Sequence, residues 1–214
     1  MTQRPARERS YDLREQLAQG AILAAAIDVF TRLGVAKARV EDVLVAAGVS
    51  RRTFYKRFRS KEDLLLALYE AATAQIMAAI RSDDGGSRSP RDAFSRAVDV
   101  YLDVVSSNGA LAGVLLSESL RPGSPLAMVR RRFRDGLIAE ANAALREASI
   151  PPMDPTLGLA VLAGIEGLSI ELVERGASRA EFAHARAVAH ELVRCALDAR
   201  PTRVTHSSPR ETPR

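Results

Sequence analysis

Helix punctuation recurs along this chain so regularly that it leaves little room for any other secondary structure. Ser89-Pro90, Ser124-Pro125 and Asp154-Pro155 each place a side-chain oxygen ahead of a proline, the pairing that satisfies the free amides of a first helical turn while presetting φ. Ser60 with Asp63 and Ser178 with Glu181 have the spacing of capping boxes. Breaks fall at Gly34, Asn108-Gly109, Arg121-Pro122-Gly123, Ile150-Pro151-Pro152 and Gly176. Between these marks the apolar residues repeat every three or four positions, as Leu13, Leu17, Leu23, Ile27, Phe30 and Leu33 do, and no run alternates with the period of a strand. An all-α fold follows. Helices are expected over residues 13–33, from Ser60 to about Ala79, and near 90–106, 109–120, 125–148, 155–174 and 179–198, with a polar linker from Asp83 to Ser89 and no internal repeat.

With 214 residues, of which 47% are hydrophobic, the chain can bury a full core. The single cysteine, Cys195, excludes an internal disulfide, and the first sixteen residues are too polar for a secretory signal core. The longest apolar stretches, such as Leu157 to Ile165, are short and rich in glycine and alanine, so a soluble, cytoplasmic protein with no membrane partner is expected. The net charge of +5 is unevenly spread. Residues 1–62 hold 13 basic against 7 acidic side chains, residues 63–199 hold 14 against 18, and the tail from 200 holds 4 against 1. A basic N-terminal module on an acidic body is the footprint of a protein whose first part meets a polyanion; a solvated or disordered basic arm gives the same count.

The stretch from Arg39 to Phe58 decides between these. Val40, Val43, Leu44 and Ala47 form one apolar face of a short helix, Gly48 supplies a turn residue, and Ser50 can cap a second short helix. Two helices joined by so short a turn make a helix-turn-helix. In the second helix Phe54 and Phe58 can pack inward, which leaves Arg51, Arg52, Tyr55, Lys56 and Arg59 outward. Arginine can bond bidentately to guanine and lysine can neutralise phosphate, and the N-terminal end of such a helix is the one that faces base edges.

The run Ala47-Gly48-Val49-Ser50, then Thr53-Phe54-Tyr55 with Phe58, then Ser60-Lys61-Glu62-Asp63-Leu64 closely resembles the signature of the TetR (tetracycline repressor-like) family, over roughly residues 13–70. The resemblance implies an N-terminal three-helix DNA-binding domain (residues 13–62, after a flexible basic arm, 1–12) and a C-terminal helical domain for ligand binding and dimerisation (63–199), with a disordered tail from 200. It assigns Arg51, Arg52 and Thr53 to base edges and Tyr55 and Lys56 to the DNA backbone, and Ser50, at the start of the recognition helix, is counted with these DNA-binding residues. Lys61, in the first turn of the next helix, stands where a phosphate can be held. Two positions depart from the family pattern: Arg39 takes the cap of the second helix, where threonine or serine is usual, yet could reach a phosphate itself; Leu44 takes a site where alanine commonly lets two helices approach.

For the body, the resemblance implies a homodimer built from the last two long helices, and the helix over 155–174 is apolar on nearly every side. Leu157, Val161, Ile165, Leu168, Leu172, Val188 and Leu192 are the expected interface; a central core helix of a monomer would look similar. It also implies a small-molecule effector pocket, for which the polar residues within apolar helices are candidates: Tyr101, Ser117, Glu118, Asn142, Glu166 and Ser169. Few aromatics follow residue 80, so a mainly aliphatic effector is expected. The cluster Arg130, Arg131, Arg132 and Arg134 could hold an acidic group, though a solvated helix face is the better reading. No cofactor or metal is expected, since the three histidines lack metal spacing and no GxSxG, P-loop or dinucleotide fingerprint occurs. The expected function is a regulator, a repressor released by its effector from an inverted repeat of double-stranded DNA; DNA binding without ligand control, or an all-helical enzyme, are the rivals.

Overall fold

A computed structural model describes residues 6–82 and 89–199, with side chains from residue 16 onward. The described residues form helices α1 (Ala6–Leu33), α2 (Val40–Ala47), α3 (Arg51–Tyr55), α4 (Lys61–Ser82), α5 (Pro90–Ser107), α6 (Gly109–Leu120), α7 (Ala127–Glu147), α8 (Pro155–Glu174) and α9 (Arg179–Asp198), and no strand. The linker after Ser82 and the tail from 200 lie outside the described residues. Most boundaries fall within two residues of those read from capping. Ser89 Oγ accepts from Asp92 N–H, Asp154 from Thr156 and Leu157, and Ser178 from Glu181.

Two helix starts and one cap differ. α1 begins at Ala6, ahead of the expected Leu13 and within the segment read as an arm. α7 starts at Ala127, because Ser124 Oγ takes the N–H of Leu126 at 3.2 Å and the proline forms part of a turn. At α4 the capping box is only half made. Ser60 Oγ accepts from Asp63 N–H, but the Asp63 carboxylate turns back to the N–H and guanidinium of Arg59. That pairing holds the Asp63 carboxyl below its ordinary pKa.

One hydrophobic core joins α1, α2, α3 and the first half of α4. Ile22, Val29, Phe30, Val43, Phe54 and Leu64 are fully buried in it, and it continues through Tyr69 to Leu115 of α6 and Leu126. A second cluster, Val98, Leu102, Ile165, Ala189 and Val193, joins α5, α8 and α9. Small residues set the close approaches. A Cβ on Gly113 of α6 would come within 2.8 Å of Val173 Cγ1 on α8, and one on Gly158 within 3.3 Å of Ile138 on α7. By length and composition α4 and α8 could each cross a membrane, contrary to the sequence expectation. In the fold both are packing elements, and α8 carries a buried, ion-paired Glu166.

Candidate DNA interface and effector chamber

The α2–α3 corner is built as its residues dictate. Gly48 adopts φ 63°, ψ 31°, and Val49 N–H bonds back to Leu44 C=O at 3.2 Å. A Cβ there would meet nothing within 4 Å, so it is the left-handed backbone alone that favours glycine. Ser50 Oγ then accepts from Thr53 N–H at 3.2 Å, which starts α3. Phe54 and Phe58 bury their rings with centroids 5.7 Å apart, which fixes which side of α3 faces out.

The outer face carries exposed Arg51, Arg52, Tyr55, Lys56 and Arg57. Glu41 of α2 pairs with Arg51 at 2.7 Å, and Arg59 is engaged by Asp63. Arg52 makes no ion pair among the described residues. Arg39 has no oxygen to offer as a cap; its N–H donates to Asp42 Oδ2 at 2.8 Å, the return half of a capping box, and its guanidinium is left for other partners. Leu44 is buried in the core between the helices.

Lys61 behaves differently from its expected role. Its ammonium donates to the carbonyls of Val35 at 2.8 Å and Ala38 at 3.0 Å, with Ala36 at 3.4 Å. It closes the turn between α1 and α2 onto the head of α4, so a phosphate could reach it only at the expense of those bonds.

In the body, α4, α5, α7, α8 and α9 enclose a cavity of about 250 Å³. Its walls are aliphatic and aromatic, among them Ile80, Phe94, Ile138 and Leu162. Tyr101, Arg134 and Glu166 make a polar end of its wall, and less than two turns along α7 from Arg134 the more exposed pair Arg81 and Glu140, Nε to Oε1 at 2.9 Å, joins α4 to α7. A smaller cavity of about 110 Å³ shares Ile76, Tyr101, Phe133 and Glu166 as its wall and reaches Tyr69 and Leu115.

Two of the six expected pocket residues, Tyr101 and Glu166, line the larger cavity, and Ser169 is buried beside Tyr101 with its hydroxyl on Ile165 C=O. The other three belong elsewhere. Ser117 is exposed and bonds Glu174, Glu118 pairs with Arg121, and Asn142 clamps both the N–H and C=O of Met153 where the chain enters α8. Each polar group has a partner close to its own helix end, so its presence in an apolar helix did not signify a ligand. Conversely, the arginine cluster is not uniformly solvated. Arg131 and Arg132 face out, whereas Arg130 and Arg134, four apart, turn inward to Glu166. Burial in this apolar corner pushes the Tyr101 phenol well above its ordinary pKa, Glu166 adding to the rise and Ser169 opposing it.

The expected dimer face also shifts. Ile165 and Leu172 are buried within the chain, and Val161 packs on the α5–α8–α9 cluster. Leu157 and Leu168 are half-buried. The uncovered face of α8 holds Leu159, Ala160, Ala163, Gly164 and Gly167, and beside it on α9 stand Val188 and Leu192, each 41% exposed.

Residues 22–68, the span that folds as the helix-turn-helix and its supporting helices, match the sequence model of the bacterial regulatory proteins of the tetR family. Residues 22–68 are a DNA-binding module of the tetR-family type. The matched module is the DNA-binding one, and the relatives that the chain resembles are transcriptional regulators, not enzymes. An HTH-type transcriptional repressor of Mycobacterium tuberculosis is 28% identical over 160 residues, 74% of this chain and 73% of that protein. Among solved structures, the regulator FadR of Bacillus subtilis, in complex with stearoyl-CoA, superposes with a TM-score of 0.70 at 18% identity, covering 81% of this chain and 96% of that one. A TetR-family regulator from Rhodococcus sp. gives 0.69 at 23% identity, covering 84% and 98%. The likeness in fold therefore extends through the body, beyond the matched N-terminal residues.

Proposed function

We propose that this regulator is a cytoplasmic repressor, that it binds an inverted-repeat operator as a homodimer, and that a small, mainly apolar effector in the larger cavity releases it. The cavity carries this reading: an aliphatic chamber walled by the same α4 that begins on the DNA-binding module. The relatives support it, since one is named a repressor and a structural neighbour holds an acyl-CoA. In this reading residues 13–62 act as the DNA-binding unit and 63–199 as the sensing and pairing unit. Arg51, Arg52 and Thr53 address base edges; Tyr55, Lys56 and Arg39 address the sugar-phosphate backbone.

Coupling runs through α4. Its start is tied by Lys61 to the α1–α2 turn, and Ile76, Ile80 and Arg81 near its end line the cavity. An effector releases DNA only if it favours a conformation in which α4 holds the two recognition helices out of register with the groove, and DNA must then weaken effector binding by the same factor. The dimer forms through the uncovered α8–α9 face, where glycine and alanine allow close approach.

A genome-wide binding map followed by footprinting tests this. Protection of an inverted repeat with half-sites about one helical turn apart, or a multiple, lost on adding an acyl-chain compound, is the expected result. Binding without sequence preference, or an operator affinity that no apolar compound alters, would refute it.

A further inference from the structure

The polar end of the chamber is not balanced. Glu166, whose side chain is 8% exposed, is already held by Arg130 through Nε at 3.3 Å and a second, shorter bond from the same guanidinium. One arginine therefore neutralises the one carboxylate. Arg134 is surplus: it reaches Glu166 only through Nη1 at 3.5 Å, at the limit of a hydrogen bond. Its Nε–H, buried, meets no acceptor among the described residues. The buried hydroxyl of Tyr101, on a residue lining the same chamber, makes no well-formed hydrogen bond either, Ser169 beside it giving its own proton to Ile165 C=O. Two buried donors without well-formed hydrogen bonds and one cation in excess of the carboxylate, on residues that line a mainly apolar cavity, are costly in a folded protein unless something arrives to accept from them.

We propose that the effector is a free aliphatic carboxylate that enters head-first, its carboxylate seated on Arg134 with a hydrogen bond from Tyr101, and its chain lying along α7 toward the Arg81–Glu140 pair. This rests on the reading of the chamber as the effector site and adds the ligand's charge and direction. The guanidinium fork matches a carboxylate in a way that no alcohol or amine can reproduce. Helical rise sets the length available. From Arg134 to Ala144 along α7 is about 15 Å, and from Gly158 to Glu166 along α8 about 12 Å, both lined continuously. The fit of the tail is non-specific; the head decides. Carrying the headgroup inward also excludes a tail-first ligand, whose methyl end would leave both donors unsatisfied and bury a charge against hydrocarbon. A coenzyme A thioester, too bulky to follow its acyl chain head-first, is such a ligand. Binding at Tyr101 would act on the wall shared with the smaller cavity and so on Tyr69 of α4.

Decanoate, 1-decanol and decanoyl-CoA, titrated calorimetrically into the full chain and into Arg134→Gln, Arg134→Lys and Tyr101→Phe, separate the possibilities. The expected result is that decanoate binds the parent roughly tenfold to a hundredfold more tightly than decanol, the value of hydrogen bonds to a charged group. Arg134→Gln should abolish that preference, with an unchanged helical circular dichroism spectrum reporting that the variant is folded; Arg134→Lys should restore part of it, and Tyr101→Phe should lose a smaller part. Equal affinity for acid and alcohol, or a preference for acid that survives Arg134→Gln, overturns the head-first assignment and leaves the chamber as the effector site. Tighter binding of decanoyl-CoA than of decanoate overturns the direction of entry. Failure of all three probes to bind the parent overturns both this assignment and the apolar-effector reading.

Discussion

Replacing Lys61 by methionine separates a structural lysine from a DNA contact. The methionine keeps the length and the apolar stem but removes a donor that reaches Val35 C=O at 2.8 Å and Ala38 C=O at 3.0 Å. Hydrogen bonds to charged groups are worth about 1.5–3 kcal/mol each, so the two better bonds set an upper limit of about 3–6 kcal/mol. Both sites are only half-buried, so water can replace much of this, and the freed chain regains up to about 2 kcal/mol of rotamer entropy. A net loss of about 1–2 kcal/mol remains, which at about 2–4 °C per kcal/mol for a chain of this size lowers the melting temperature by several degrees. Calorimetry gives the stability, and operator affinity measured from low to moderate salt gives the number of phosphates neutralised. The structure predicts a less stable protein with an unchanged salt slope. A stability equal to the parent's, with the slope shallower by about 0.9 per lost phosphate contact, would refute the reasoning and return Lys61 to the DNA backbone.

Charge on the uncovered α8–α9 face, as Leu192→Glu or Gly164→Glu, should give a monomer by sedimentation at micromolar concentration, whereas the parent should sediment as a dimer; a monomeric parent removes the proposed assembly. Gly20→Ala, on α1 where a Cβ meets nothing within 4 Å, should stabilise by up to about 1 kcal/mol through helix propensity. Gly113→Ala should show no such gain, since its Cβ meets a stiff valine at 2.8 Å and overpacking costs about 1–3 kcal/mol; equal melting shifts for the two would mean that α6 and α8 are not packed this closely.

The helices were legible because their ends are local chemistry. Ser89, Asp154 and Ser178 cap where they stand in sequence, and Gly48 and Ser50 build the α2–α3 corner without help from distant residues. The outward face of α3 followed from the four-residue spacing of Phe54 and Phe58. The chamber did not follow, because a polar residue in an apolar helix shows that a partner exists and not which one: Asn142 serves Met153, Glu118 serves Arg121, and only Glu166 is answered from another helix inside the core. One signal was present. Arg134 stands in register with Leu137, Ala141 and Leu145 on α7, a spacing that puts the arginine on the apolar side. The register of the α8 face was invisible for the opposite reason. With apolar or small residues on both sides, nothing in the helix distinguishes Ile165 and Leu172, which go inward, from Leu159 and Ala163, which do not.

The most direct test of the whole account is the affinity of Arg52→Ala for the footprinted operator and for operators changed at single base pairs, by fluorescence anisotropy at fixed salt. Arg52 is exposed on the outer face of α3 and makes no ion pair among the described residues, so its loss leaves the fold untouched. The account predicts binding weakened by about 1–3 kcal/mol per lost bidentate contact, with the base preference relaxed at one position in each half-site. A variant that binds the operator as tightly as the parent, with every base preference intact, would contradict the assignment of α3 as the helix that reads DNA.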